Sequence, residues 1–212
     1  SGATLNFNTL SSLAFNSKGG SAVSTIYHAA NATVSKPTDP TRTGYTFAGW
    51  YDAETSGTAI NWSTPFAGTD QTLYAYWTPI AYNVIYDTHG GSTPTNGSTT
   101  YTIGGSVTLP SAPTQTGYTF QGWSTSATGS AISGSTYNPP ATGDITLHAL
   151  WHPIDYVVVF NSHDGSAVGD KTYNIGGTIT KPADPTKAGY QFNGWYDAAT
   201  GGNLIAWPSG SY

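Results

Sequence analysis

An eight-residue motif occurs three times in this chain at almost constant spacing. Thr-Gly-Tyr-Thr-Phe-Ala-Gly-Trp (Thr43 to Trp50) returns as Thr-Gly-Tyr-Thr-Phe-Gln-Gly-Trp (Thr116 to Trp123) and as Ala-Gly-Tyr-Gln-Phe-Asn-Gly-Trp (Ala188 to Trp195). Trp123 follows Trp50 by 73 positions and precedes Trp195 by 72. A fixed period of this size means an array of similar modules, each contacting its neighbours, and such arrays serve reach, adhesion or assembly rather than chemistry.

A unit of this size lies near the lower limit for a core that folds without metal or disulfide. The chain has no Cys, so its aromatic residues must supply that core. Burying one aromatic ring removes roughly 150–250 Å² from water, which at about 25 cal/mol per Å² is at most roughly 4–6 kcal/mol. Charged residues make up only 8% of the chain, against roughly 25% in ordinary domains, so Thr, Ser, Asn and Gly must keep the surface wet. A net charge of −5, with Arg42 the only Arg, excludes nucleic acid as a partner because phosphate neutralisation needs a basic face. No apolar run approaches the roughly 18 residues of a membrane span. The chain opens Ser1-Gly2-Ala3-Thr4, and the expectation is an exported protein, extracellular or at the cell surface, whose leader has been removed.

The three units share an order of elements. Each starts with a β-rich run (Leu13-Ala14-Phe15, Val84-Ile85-Tyr86, Val157-Val158-Val159-Phe160) that stops at an Asn- or Asp-led turn containing Gly, which supplies the positive φ of a tight reversal. A second strand follows in units two and three, Thr100 to Ile103 and Thr172 to Ile175, whereas unit one has Ser24-Thr25-Ile26-Tyr27-His28 in its place. Two prolines three apart come next (Pro37 and Pro40, Pro110 and Pro113, Pro182 and Pro185), excluding a helix interior or central strand. In the Gly-Tyr-x-Phe-x-Gly-Trp strand, simple alternation puts Tyr45, Phe47 and Gly49 on one face and Thr46, Ala48 and Trp50 on the other. Units one and two end on Thr72-Leu73-Tyr74-Ala75-Tyr76-Trp77 and Thr146-Leu147-His148-Ala149-Leu150-Trp151. Short proline-containing joints then predict a semi-rigid array, with boundaries at 12–78, 79–152 and 153–212 behind an N-terminal strand in 1–11. The predicted core aromatics are Tyr45, Phe47, Trp50 and Trp77, then Tyr118, Phe120, Trp123 and Trp151, then Tyr190, Phe192 and Trp195.

The Asp/Asn-x-x-Gly-Gly turn, the Pro-x-x-Pro-x-x-x-Gly-Tyr-x-Phe-x-Gly-Trp core and the closing Thr-Leu-x-Ala-x-Trp strand resemble the Listeria–Bacteroides repeat, also called the internalin B-repeat, of bacterial and archaeal surface proteins. The resemblance covers nearly the whole chain. It implies a mainly β fold, a tandem array of three small β-grasp-like modules with twisted mixed sheets, used as a stalk or accessory adhesion domain. Ser124 departs from the pattern, standing where the other units have Tyr51 and Tyr196.

Unit three stops at Tyr212 before any closing strand, while Ala3-Thr4-Leu5-Asn6-Phe7 forms a short strand with no unit of its own. One expectation is therefore a head-to-tail homopolymer. Thr4, Leu5, Asn6 and Phe7 of one copy would complete the third unit of the next, beside an acceptor region of Leu204, Ile205 and Trp207. A supplied strand satisfies unpaired backbone groups and covers exposed core, and a contact that does not close builds filaments. The alternative is a stalk segment of a longer adhesin. A third, from another class, is a carbohydrate-binding array in which exposed Trp and Tyr stack on cell-surface or matrix glycans.

No constellation for catalysis stands out, no cofactor is expected, and the chain reads as a non-enzyme. His89 and His163 occupy equivalent turn positions near Asp87 and Asp164, but unit one has Lys18 there, so these read as solvated turns and no metal is assigned. His148 and His152 flank Trp151 where unit one has Tyr74 and Thr78, which points to packing or exposure.

Overall fold

The computed structural model describes residues 9–207, so the candidate donor strand, Thr4 to Phe7, lies outside the described residues. Every regular element among them is a strand. By compactness the chain forms two units. One holds the chain up to Val84 together with Ser98–Val107 and Thr136–Ile145, and the other holds Ile85–Gly97, Thr108–Ser135 and everything from Thr146.

The first repeat is a four-stranded mixed sheet made of β1 (Ser11–Asn16), β2 (Ile26–His28), β3 (Tyr45–Tyr51) and β4 (Gln71–Pro79), in the order β2-β1-β4-β3. The closing strand β4 is central, parallel to β1 and antiparallel to β3. Alternation along β4 therefore turns Leu73 and Ala75 inward, at 1% and 2% exposure. They pack with Leu13, Val34, Trp50 and Phe66 in one apolar core, flanked by Phe15, Phe47, Trp62 and Trp77. The divergent segment around Ile26 does make the second strand after all, pairing Ser11 with His28 as Tyr82 pairs with Tyr101 in the second repeat. His28 and Tyr101 are both buried there, each 5% exposed.

Simple alternation fails inside β3. Phe47 pairs with Trp77, but Gly49 pairs with Tyr76 and Trp50 with Ala75, so Ala48 is an extra residue, a β-bulge. Because Ala75 and Trp77 share a face of β4, the bulge returns Phe47 and Trp50 to one face, with ring centroids 5.4 Å apart in an edge contact. Gly49 meets the required backbone turn with φ 139°, a conformation that side chains disfavour.

The second repeat contributes β5 (Tyr82–Asp87), β6 (Thr100–Tyr101), β7 (Val107–Thr108), β8 (Tyr118–Ser124), β9 (Thr136–Tyr137) and β10 (Ile145–Pro153). Its main sheet has the order β6-β5-β10-β8, that of the first, and β7 pairs with β9. The bulge recurs at Gln121, between Phe120, which pairs with Trp151, and Gly122, which pairs with Leu150. The described residues of the third repeat hold β11 (Tyr156–Val158) and β12 (Lys171–Tyr173), an antiparallel pair.

The joints repeat as well. Ile80 donates its backbone N–H to Gly44 O at 2.9 Å, and Ile154 donates to Gly117 O at 2.8 Å. A Cβ on Gly44 would lie 2.8 Å from Ile103, and one on Gly117 would lie 2.9 Å from Ile175. At each joint, then, an Ile of the next repeat rests on a bare glycine of the previous one.

Candidate functional site

The closing strand does three things in the first two repeats. Its backbone joins the two halves of the sheet, its Leu and Ala complete the core, and its Trp fastens the Gly-containing turn. Trp77 Nε1 donates to Ser17 O and Trp151 Nε1 donates to Thr88 O, both at 2.9 Å. Leu147 and Ala149 are buried as their counterparts are, at 0% and 2%.

In the third repeat the described residues line two clefts. Among the described residues, 156–158 pair with β12, and the Tyr190 to Tyr196 stretch makes isolated bridges, Lys187 with Tyr190 and Tyr196 with Leu204. A cleft of about 500 Å³ is lined by Val158, Phe160, Tyr173, Ile179, Leu204 and Trp207. A second, of about 700 Å³, shares Val158, Phe160 and Ile205 and reaches Phe192 and Trp195. Val158 occupies the position of Leu13 and Val84, which are buried, yet is itself only half-buried. Val159 and Tyr190 are 71% and 74% exposed.

Of the three acceptor residues, Ile205 donates its N–H to Trp195 O at 2.8 Å, as Ile60 does to Trp50 O at 2.9 Å in the first repeat. Leu204 is 58% exposed, and the Trp207 indole nitrogen is buried without a partner. Its counterpart Trp62 stacks on Phe15 at 6.5 Å and meets Phe66 at 5.8 Å.

The recurring aromatics form one cluster per repeat. Trp50 meets Phe15 and Phe47, Trp123 meets Tyr86 and Phe120, and Trp195 meets Phe160 and Phe192, all in edge contacts of 4.8 to 5.6 Å. Phe47 and Phe120 also meet Trp77 and Trp151. Trp50, Trp123 and Trp195 are 2%, 2% and 6% exposed, leaving no ring face on which a sugar can stack. Tyr45 and Tyr118 are half-buried at the start of their strands, and Arg42 lies over the Tyr45 ring at 3.9 Å.

Two grouped features were hidden in the sequence. The first is a carboxylate at the start of each closing strand. Asp70 accepts from Ser12 N and Asp144 from Asn83 N, both at 2.7 Å, and Asp144 also takes the Asn83 amide at 3.1 Å. The backbone hydrogen bond is the chief reason each titrates below the ordinary Asp range. A lowered folded-state value means stability that is fully present above the unfolded pKa and lost as pH falls through the folded one, a window below about pH 4. Denaturant midpoints should therefore drop between neutral pH and about pH 3, and Asp144→Ala should narrow that drop; an equal drop in parent and variant would sink this account. The second is a grouping of Asp87, His89 and His148 at the edge of the second repeat. The chain positions gave no sign of it, because 59 residues separate the two His and only sheet pairing brings them together.

Comparison with known proteins agrees with the triplicate pattern. The Listeria-Bacteroides repeat domain matches residues 12–76, 82–150 and 156–210. A protein of Evansella cellulosilytica described as a membrane protein is 33% identical over 87% of this chain and 27% of its own length. A Gly-rich membrane protein of the same organism is 30% identical over 87% of the chain and 21% of its own length. Internalin H of Listeria monocytogenes is 39% identical over 57% of the chain and 21% of its own length. The chain thus spans about a quarter of the length of these curated relatives. With three matches covering most of its residues, each carrying the Gly-containing turn, the Gly-Tyr-x-Phe-x-Gly-Trp motif and a buried Trp, the chain belongs to the Listeria-Bacteroides repeat domain family.

Proposed function

We propose that this chain is a structural, non-enzymatic part of a cell-surface protein, an array of three β modules at 12–78, 79–152 and 153–212 whose third module is completed by an incoming strand. The observation that carries this is the pair of clefts in the third repeat, lined among the described residues by apolar side chains that include Val158, Phe160, Trp195 and Ile205. Surface location draws support from relatives described as membrane proteins and an internalin. No helix among the described residues is long and apolar enough to cross a membrane.

In the assembling form, Thr4 to Phe7 of a second copy enters this groove, with Leu5 taking the inward position of Leu73 and Leu147. Each junction uses the tail of one copy and the head of the next, so the contact propagates into a filament. A second form is favoured by the relatives' length, of which the match covers only 21% to 27%: there the closing strand comes from the same polypeptide and the array is a stalk. Electron microscopy of the full chain beside a version lacking Ser1 to Asn8 separates them. Filaments that vanish on truncation are the expected result. Monomers from both samples would overturn strand donation. If appending a copy of Gln71–Pro79 to the C-terminus of such monomers then protects third-repeat amides from exchange, the stalk form holds.

A further inference from the structure

The second repeat carries a grouping that the described residues of its neighbours lack. Asp87 ends β5, His89 sits in the turn after it, and His148 lies on β10, the strand next to β5. His89 Nε2 is 3.1 Å from His148 Nδ1, and the Asp87 Oδ2 atom lies 3.6 Å from the first and 3.5 Å from the second. We propose that Asp87, His89 and His148 form a binding site for one divalent transition-metal ion, zinc being the best fit.

The geometry argues for a single ion. The three separations leave a point about 2.0 Å from every ligand atom, the bond length zinc takes to imidazole nitrogen and carboxylate oxygen. A tetrahedral ion with such bonds sets its ligands roughly 3.3–3.5 Å apart, close to the spacing found here. Two imidazoles and one carboxylate favour zinc and its neighbours over magnesium or calcium, which prefer all-oxygen sets. All three side chains are partly exposed, between 22% and 44%, so a bound ion keeps a position for water or another ligand.

The ligands are also held in place beforehand. Asp87 Oδ1 accepts the His89 backbone N–H at 3.0 Å, which fixes the turn and leaves Oδ2 for the ion. His89 has φ 47°, a left-handed conformation set by that turn. The turn is tied down again where Gly91 N and Trp151 Nε1 both donate to Thr88 O, at 3.0 and 2.9 Å. Parallel pairing matches Asn16 with Tyr74 in the first repeat, the counterparts of Asp87 and His148. That repeat therefore presents Asn16, Lys18 and Tyr74, and Lys18 is paired with Glu54 at 2.8 Å. The third presents Asn161 and His163 with no counterpart of His148 among the described residues. One such site among the described residues follows.

Isothermal titration of the full chain with zinc chloride in a chelator-free buffer tests this. The expected result is one zinc ion per chain and no heat with magnesium. His148→Tyr and His89→Lys install the first repeat's own residues, which the fold accommodates, and each should weaken binding roughly tenfold or more. His163→Ala should leave it unchanged. Absence of zinc binding, or binding that survives both His148→Tyr and His89→Lys in folded protein, would overturn the site and leave a hydrogen-bonded His pair.

Discussion

Trp50→Ala is expected to unfold the first repeat under conditions where the parent is stable. Trp50 is 2% exposed, pairs with Ala75 on the central strand, and takes the edges of Phe15 and Phe47 at 4.8 and 5.4 Å. Deleting a buried aromatic costs about 3–5 kcal/mol, from lost transfer energy and the cavity left behind. Small domains hold only about 5–15 kcal/mol in total, and the β-bulge and four-stranded sheet of this repeat both converge on that indole. Urea unfolding followed by far-ultraviolet dichroism checks this, with Tyr27→Ala as the comparison. Tyr27 is 67% exposed and its loss should change stability by less than about 0.5 kcal/mol. Similar midpoints for the two variants would show that the aromatic cluster does not carry the fold.

The second large effect is expected at the bulge glycine of the second repeat. Gly122 has φ 135°, and holding a side chain in a left-handed conformation costs about 1–2 kcal/mol. A Cβ there would also lie 2.7 Å from that of Ala131, so a neighbour must give way, and overpacking adds typically about 1–3 kcal/mol. Gly122→Ala should therefore lower the unfolding midpoint clearly. Ala131→Gly placed on top should recover the steric share only, because the backbone conformation remains disfavoured. A double variant as stable as the parent would mean that the φ value carries no cost. Gly49 separates the two contributions from the other side, since the nearest atom to its added Cβ is 3.6 Å away; Gly49→Ala should show the conformational cost alone.

Much of the architecture was legible because a repeated motif tests itself. Three turns, three proline-bounded segments and two closing strands in one order leave little freedom, and the strands appear where the runs of Leu13, Val84 and Thr72 place them. The bulge was not legible. Period-two alternation assigns Phe47 and Trp50 to opposite faces, and only the cross-strand register reveals the extra residue at Ala48. Nor was β2, where Ile26-Tyr27-His28 has none of the local pattern of its counterparts; its pairing with Ser11 to Leu13 is imposed by the sheet edge it completes.

The Asp87–His89–His148 grouping shows the same division most plainly. Comparing units position by position read each His alone, and Lys18 or Tyr74 in the first repeat argued each of them into solvent or packing. A ligand set is a property of three atoms in space, and these three meet because β5 and β10 are neighbours in the sheet. Sequence alone determined the number of modules, the order of their elements and the membership of a repeat family, since all of these are written in local patterns and their period. Tertiary structure decided which face Trp50 shares with Phe47 and which histidine faces which. Those depend on strand register and on side chains about 60 residues apart meeting across a parallel pair, and no local pattern encodes such a meeting.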